Sequence, residues 1–234
     1  MRISKNAYLI DGVTGGRSYL WINKGVTVID TGLFGNEKRI VDFARSVTDK
    51  NIKTIVLTHS DPDHIGSADK LRGLTGARIA IHIQDAPAVE GHRNLKEVYP
   101  VLSWIVQILS WAMGYRPFKP DICLKGGETI DGLKVLHLPG HSRGSICLYK
   151  PGDTIFTGDT IMTTRGGVLV KIRSFVTQSV EKTRKATQEV AKLKFNILCP
   201  GHGQVIQEGA LEKVKELSRR FKTPLSGKNA SIYT

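Results

Sequence analysis

A single α/β domain spanning residues 1–234 is what the sequence predicts, on three observations. Short runs of β-branched and apolar residues recur along the chain. Between them lie stretches whose apolar residues return at helical spacing. Several of the short runs end in loops where His or Asp sits beside Gly, the place where open α/β sheets put their chemistry. A chain of 234 residues, 40% hydrophobic, is long enough to bury one large core.

Residues 3–10, 18–23 and 26–30 read as three short strands of a meander, separated by Gly-rich turns. Asp30 closes the third, where it either orients a metal ligand or caps the turn. Asn36 reads as a helix cap, with Ile40, Val41, Phe43, Ala44 and Val47 forming the apolar face of the helix that follows. Residues 52–57 form a buried strand that runs into Thr58-His59-Ser60-Asp61-Pro62-Asp63-His64. Pro62 and Gly66 argue for a loop there rather than a helix. Two imidazoles and two carboxylates so close together repel or compete for solvent unless a cation gathers them, and the mixture suits zinc or iron. Residues 67–74 then read as a helix and 77–83 as a strand, with His82 an ordinary strand histidine and His92 facing solvent.

An apolar helical insertion occupies about residues 91–120, and its centre is the run 101–113. Ser103, Gln107 and Ser110 fall on one narrow stripe of this helix and leave the rest apolar. It is too short to cross a bilayer, which takes roughly 20 apolar residues. Four roles fit it: a core helix, a contact between the subunits of a homodimer, a contact with a membrane surface, or a lid whose Trp104 and Trp111 line a hydrophobic substrate pocket.

The second half repeats the pattern of strands ending in ligand chemistry. Residues 133–138 run into Pro139-Gly140-His141, 154–157 into Gly158-Asp159, and 197–199 into Pro200-Gly201-His202. Glycine lets the backbone turn sharply and approach a metal centre closely. His137 lies inside its strand and reads as structural, and residues 210–221 read as a short basic helix.

The formal charge of +13 raises the question of a polyanionic partner. Neither an aromatic-interleaved basic stretch nor a nucleic-acid motif accompanies it, so a small-molecule substrate is expected rather than nucleic acid. Cys123, Cys147 and Cys199 have neither close pairing nor metal-type spacing and are expected to be thiols in a reducing cytoplasm. No secretory signal is evident at the start of the chain, which also points to the cytoplasm.

His59-x-Asp61-x-Asp63-His64, followed by His141, Asp159 and His202, resembles the signature of the metallo-β-lactamase superfamily: His-x-His-x-Asp-His, a later His, a bridging Asp and a last His. The run Val28-Ile29-Asp30-Thr31-Gly32 fits as well, and the resemblance covers residues 3–206. It implies a four-layer αββα sandwich, two mixed β-sheets with helices outside and a metal site at one edge. It further implies that His59, Asp61 and His141 hold one divalent metal ion, that Asp63, His64 and His202 hold a second, and that Asp159 bridges them. Asp61 stands where the family usually has its second histidine. Zinc is the expected metal, and the oxygen donor makes iron or manganese more competitive.

The activity implied is that of a dinuclear metal-dependent hydrolase using a metal-bridging hydroxide, with Asp63 both a ligand and the residue that orients the nucleophile or takes its proton. Branches that act on glutathione thioesters, homoserine lactones, β-lactams or nucleic acids carry features this chain lacks. What remains is an ester, thioester, lactone or phosphoester with an apolar portion. Its acid group would meet Arg165, Lys171 or Arg173. The alternative on the same fold is an iron-dependent redox or sulfur-oxidising enzyme.

Overall fold

The computed structural model describes residues 1–91, 116–164 and 177–221. Its strands form two mixed sheets. In the first, six strands lie in sequence order: β1 (Ala7–Leu9), β2 (Tyr19–Ile22), β3 (Val26–Ile29), β4 (Ile52–Val56), β5 (Arg78–His82) and β6 (Ile122–Leu124). The pairs β1–β2 and β2–β3 are antiparallel, and those from β3 to β6 are parallel. The second sheet has five strands in the order β11 (Ile197–Pro200), β10 (Thr154–Gly158), β9 (Ile146–Tyr149), β8 (Leu133–His137) and β7 (Thr129–Ile130). There β10 and β11 are parallel and the other neighbours antiparallel.

Side chains of a strand alternate between its faces, and here both faces are apolar. Along β4 and β5, Ile55, Ile79 and Ile81 turn outward to pack with Ile40, Ala44 and Leu71, while Val56 and Ala80 turn toward the second sheet. The outward partners come from α1 (Glu37–Val47) and α3 (Ala68–Thr75). On the second sheet Leu148, Phe156 and Cys199 face the first, whereas Cys147, Ile155 and Leu198 pack outward with Val190 and Val214. Those last two belong to α5 (Val180–Val190) and α6 (Ala210–Arg220). Helix, sheet, sheet and helix are the four layers that the family resemblance implies. Phe156 locks the middle one, edge-on to Tyr19 and Trp21 at ring separations of 5.3 and 6.3 Å; truncating such a residue to alanine removes about 3–5 kcal/mol of stability.

Two local expectations need correction. Pro62 does not keep the motif out of a helix, because it opens the single turn α2 (Pro62–Ile65) at a position where a missing N–H leaves nothing unpaired. The turn closes through His64 N–H to the Asp61 carbonyl at 2.9 Å. Asn36 stands at the start of α1 but its side chain does not cap it. The amide instead accepts from Thr14 N–H at 3.1 Å and donates to the Leu33 carbonyl at 2.8 Å, tying the loop before β2 to the loop after β3. The short strands β6 and β7 and the turn α4 (Ala86–Val89) were not expected from the sequence. His92, the run 101–113 with Trp104 and Trp111, and Arg165, Lys171 and Arg173 lie outside the described residues. No described helix is long and apolar enough to cross a membrane.

Candidate metal centre

Five strand ends deliver the side chains of the site. Just past β3 comes Asp30, after β4 the segment from Thr58 to His64, after β8 His141, after β10 Asp159 and after β11 His202. Asp30 has φ 56°, a left-handed conformation that aspartate tolerates better than most side chains. From it the carboxylate accepts Thr58 N–H at 2.7 Å and the Thr58 hydroxyl at 2.7 Å, and it meets His64 Nδ1 at 2.9 Å.

The seven predicted ligand residues converge on one edge of the sandwich. His59, Asp61 and His141 bring one donor atom each to within 4.8 Å of one another, and so do Asp63, His64 and His202. Between the two triads stands Asp159, with its Oδ2 3.6 Å from His141 Nε2 and 3.5 Å from His202 Nε2, and its Oδ1 3.4 Å from His64 Nε2. Burial differs between the triads. The side chains of His59, Asp61 and His141 are 1%, 19% and 1% exposed, whereas Asp63 and His202 are 34% and 38% exposed around a fully buried His64.

The hydrogen bonds settle the histidine tautomers. The single Thr58 hydroxyl proton goes to Asp30, so at 2.9 Å the oxygen accepts from His59 Nδ1–H, and Nε2 is the unprotonated nitrogen of the neutral ring. Asp30 likewise takes the Nδ1–H of His64, and neutral His64 aims its Nε2 lone pair at His202 Nε2, 3.2 Å away. Asp159 Oδ1 is buried with no hydrogen-bond partner among the described residues. Imidazole lone pairs and carboxylate oxygens converging in this way are the donor set of a divalent cation. Without one, protons do part of that work: burial by itself lowers the His64 pKa, but Asp159, Asp30 and Asp63 together raise it to about 10. For His202 the hydrogen bond with Asp63 raises the pKa against the effect of burial. Burial alone pushes Asp63 up, yet its hydrogen bond to His202 and the charges of His64 and His202 hold it below the usual carboxylate range.

The profile of the metallo-beta-lactamase superfamily matches residues 5–202. The chain belongs to that superfamily. It is 30% identical over 173 residues to the acyl-coenzyme A thioesterase MBLAC2 of Homo sapiens, covering 63% of this chain and 60% of that protein's length. It is 29% identical over 207 residues to the uncharacterized protein YobT of Bacillus subtilis, covering 84% and 86% of the two chains. Among solved structures, TTHA1623 in a di-iron-bound form superposes with a TM-score of 0.61 at 25% identity, over 81% of this chain and 88% of the other.

Sequence reasoning missed the residues that hold the ligand loops in place. The loop carrying His202 is clamped three times in a row: Tyr19 Oη donates to the Pro200 carbonyl at 2.6 Å, Arg17 N–H to Gly201 at 2.7 Å and Arg17 Nε to Gly203 at 3.0 Å. A methyl group on Gly201 would lie 2.2 Å from Asp159 Oδ1, and one on Gly16 would lie 2.5 Å from the His64 ring, so glycine is required where these backbones pass the centre. Asp85 was missed for a different reason. It precedes the Pro-containing turn α4, as a helix cap would, but its carboxylate turns away from that turn.

Proposed function

We propose that the chain is a dinuclear metal-dependent hydrolase acting on a small-molecule ester, thioester, lactone or phosphoester with an apolar portion. The pair of donor triads on either side of Asp159, one enclosed and one open to solvent, carries this reading. His59, Asp61 and His141 would hold one cation, Asp63, His64 and His202 the other, with Asp159 shared. When bound, two divalent cations supply a water nucleophile of lowered pKa and polarise an acyl or phosphoryl oxygen. The protein's residues orient and exclude. Asp30 and Thr58 hold the imidazoles of His64 and His59 with Nε2 toward the centre. Asp63, held ionised by His202 and His64 and on the open side, is the residue that would orient the nucleophile or take its proton. On sequence grounds Trp104 and Trp111 supply the apolar wall and Arg165 meets the acid group.

Zinc is the expected occupant. The Asp61 oxygen makes iron or manganese competitive, and similarity to a di-iron-bound protein supports keeping iron in view. Among substrates, similarity to an acyl-coenzyme A thioesterase favours testing thioesters first. The experiment is elemental analysis of protein purified without added metal, beside a panel of acyl-coenzyme A thioesters, p-nitrophenyl esters, lactones and phosphodiesters. Two metals per chain with hydrolysis of one class is the expected result. A stoichiometry that never exceeds one per chain overturns the dinuclear assignment. Iron whose absorption changes on reduction, in a protein that hydrolyses nothing, supports the redox or sulfur-oxidising reading instead.

A further inference from the structure

We propose that Asp85 is a positioning residue whose buried carboxylate holds the loop of His59 and Asp61 against the loop of His141, and so sets the geometry of the enclosed donor triad. It belongs to neither triad. One carboxylate oxygen accepts Ser60 N–H at 3.1 Å and the Ser142 hydroxyl at 2.6 Å, and the other accepts Gly144 N–H at 2.7 Å. Ser60 lies between His59 and Asp61, and Ser142 follows His141. One side chain therefore reaches the neighbours of all three donors. Ser145 completes the arrangement, its hydroxyl accepting Ser142 N–H at 2.8 Å and lying 2.8 Å from the Ser142 hydroxyl.

The chemistry of the partners requires a carboxylate at this place. Backbone N–H groups cannot reverse polarity, and each oxygen of Asp85 faces one. An amide of the same shape must turn its NH2 toward either Ser60 or Gly144 and leave that N–H without an acceptor. A longer acid has no room, because Gly144 already packs so close that a methyl on it would lie 2.6 Å from Asp85 Cγ. Asp85 is 4% exposed and forms no ion pair among the described residues. A buried carboxylate without a cation is costly unless hydrogen bonds offset the lost hydration, and here those bonds hold the two ligand loops together. The open triad has separate holders in Asp30, Arg17 and Tyr19.

The proposal rests on the metal-centre reading, and its test keeps the two separable. Full-length metal-free protein is titrated with zinc by calorimetry, and amide hydrogen exchange is followed on the same metal-free samples. In Asp85→Asn one of two zinc equivalents should weaken at least tenfold while the other keeps its affinity, and residues 58–61 and 141–145 should exchange faster with 200–203 unchanged. Ser142→Ala, which removes one hydrogen-bond donor to the carboxylate and leaves the carboxylate itself, should move both readouts the same way by less, and it serves if the Asn variant does not fold. A purely structural role predicts instead a lowered melting temperature with both equivalents weakened alike. Wild-type affinity at both equivalents with unchanged exchange in both loops overturns the proposal. Wild-type protein that takes up no zinc overturns the metal reading, and the exchange data then decide Asp85 alone.

Discussion

The two donor triads are built from the same kinds of residue but sit in different surroundings. His59, Asp61 and His141 lie under the sheet edge with two imidazoles about fully covered, while Asp63 and His202 look outward past a buried His64. Each cluster combines nitrogen and oxygen donors, so donor chemistry alone does not separate them. Burial does. An enclosed site holds its ligands by packing and fixed hydrogen bonds, whereas an exposed one leaves a side from which substrate and water arrive. The division of labour this implies, with the enclosed triad organising and the open one reacting, can be broken by experiment.

The largest effect is expected at the open triad. Asp63→Asn keeps an oxygen donor near His202 but removes the group that accepts the proton, and kcat should fall by about 10²–10⁴. Stopped-assay hydrolysis beside metal analysis checks this; a rate near wild type with metal retained would place proton acceptance elsewhere. Next come the histidines. His59→Ala and His202→Ala should each lose about one metal, since each removes a donor from a different triad. Their metal-free stabilities should differ: His59→Ala leaves a cavity and deprives the buried Thr58 hydroxyl of its donor, for about 1–3 kcal/mol, while His202→Ala, at a half-exposed site, should stay within about 0.5 kcal/mol. Equal losses on chemical unfolding would erase the distinction between the triads.

The pH dependence of the metal-free protein sharpens it. His64 titrates higher folded, at about 10, than its ordinary value of 6.5. Because the folded value is the raised one, its contribution to stability is complete below about pH 6.5 and is lost as the pH climbs through about 10. The melting temperature of metal-free protein should therefore fall across that window, and saturating zinc should flatten the fall by taking the place of the proton. A metal-free profile already flat across it would show that the open triad does not depend on positive charge. The smallest effect is expected from Asp61→His, which should retain both metals and shift competition from iron toward zinc, because imidazole is the softer donor. An unchanged zinc-to-iron preference would place Asp61 away from the metal.

What the sequence determined by itself was set by local rules. Apolar β-branched runs such as 52–57 form strands because both faces are to be buried, and His or Asp beside Gly at their ends marks turns that bring polar side chains to one edge. The candidate donor residues were legible because they are chemically conspicuous and repeat that placement four times. What only the tertiary structure decided depends on contacts between residues far apart in the chain. Pro62 was read as a breaker because its effect depends on whether it falls inside a helical turn or at its first position, and here Asp61 and the strand before it fix the latter. Asn36 was read as a cap and Asp85 was not singled out, yet each bonds a loop brought near only by folding: Thr14 across 22 positions, Ser142 across 57. The difference in burial between the triads is of the same kind. Asp61 and Asp63 are two residues apart in sequence, and α2 turns one toward His141 and the other toward His202. No local pattern encodes that separation; it arises because one helical turn is placed between loops contributed by the opposite sheet.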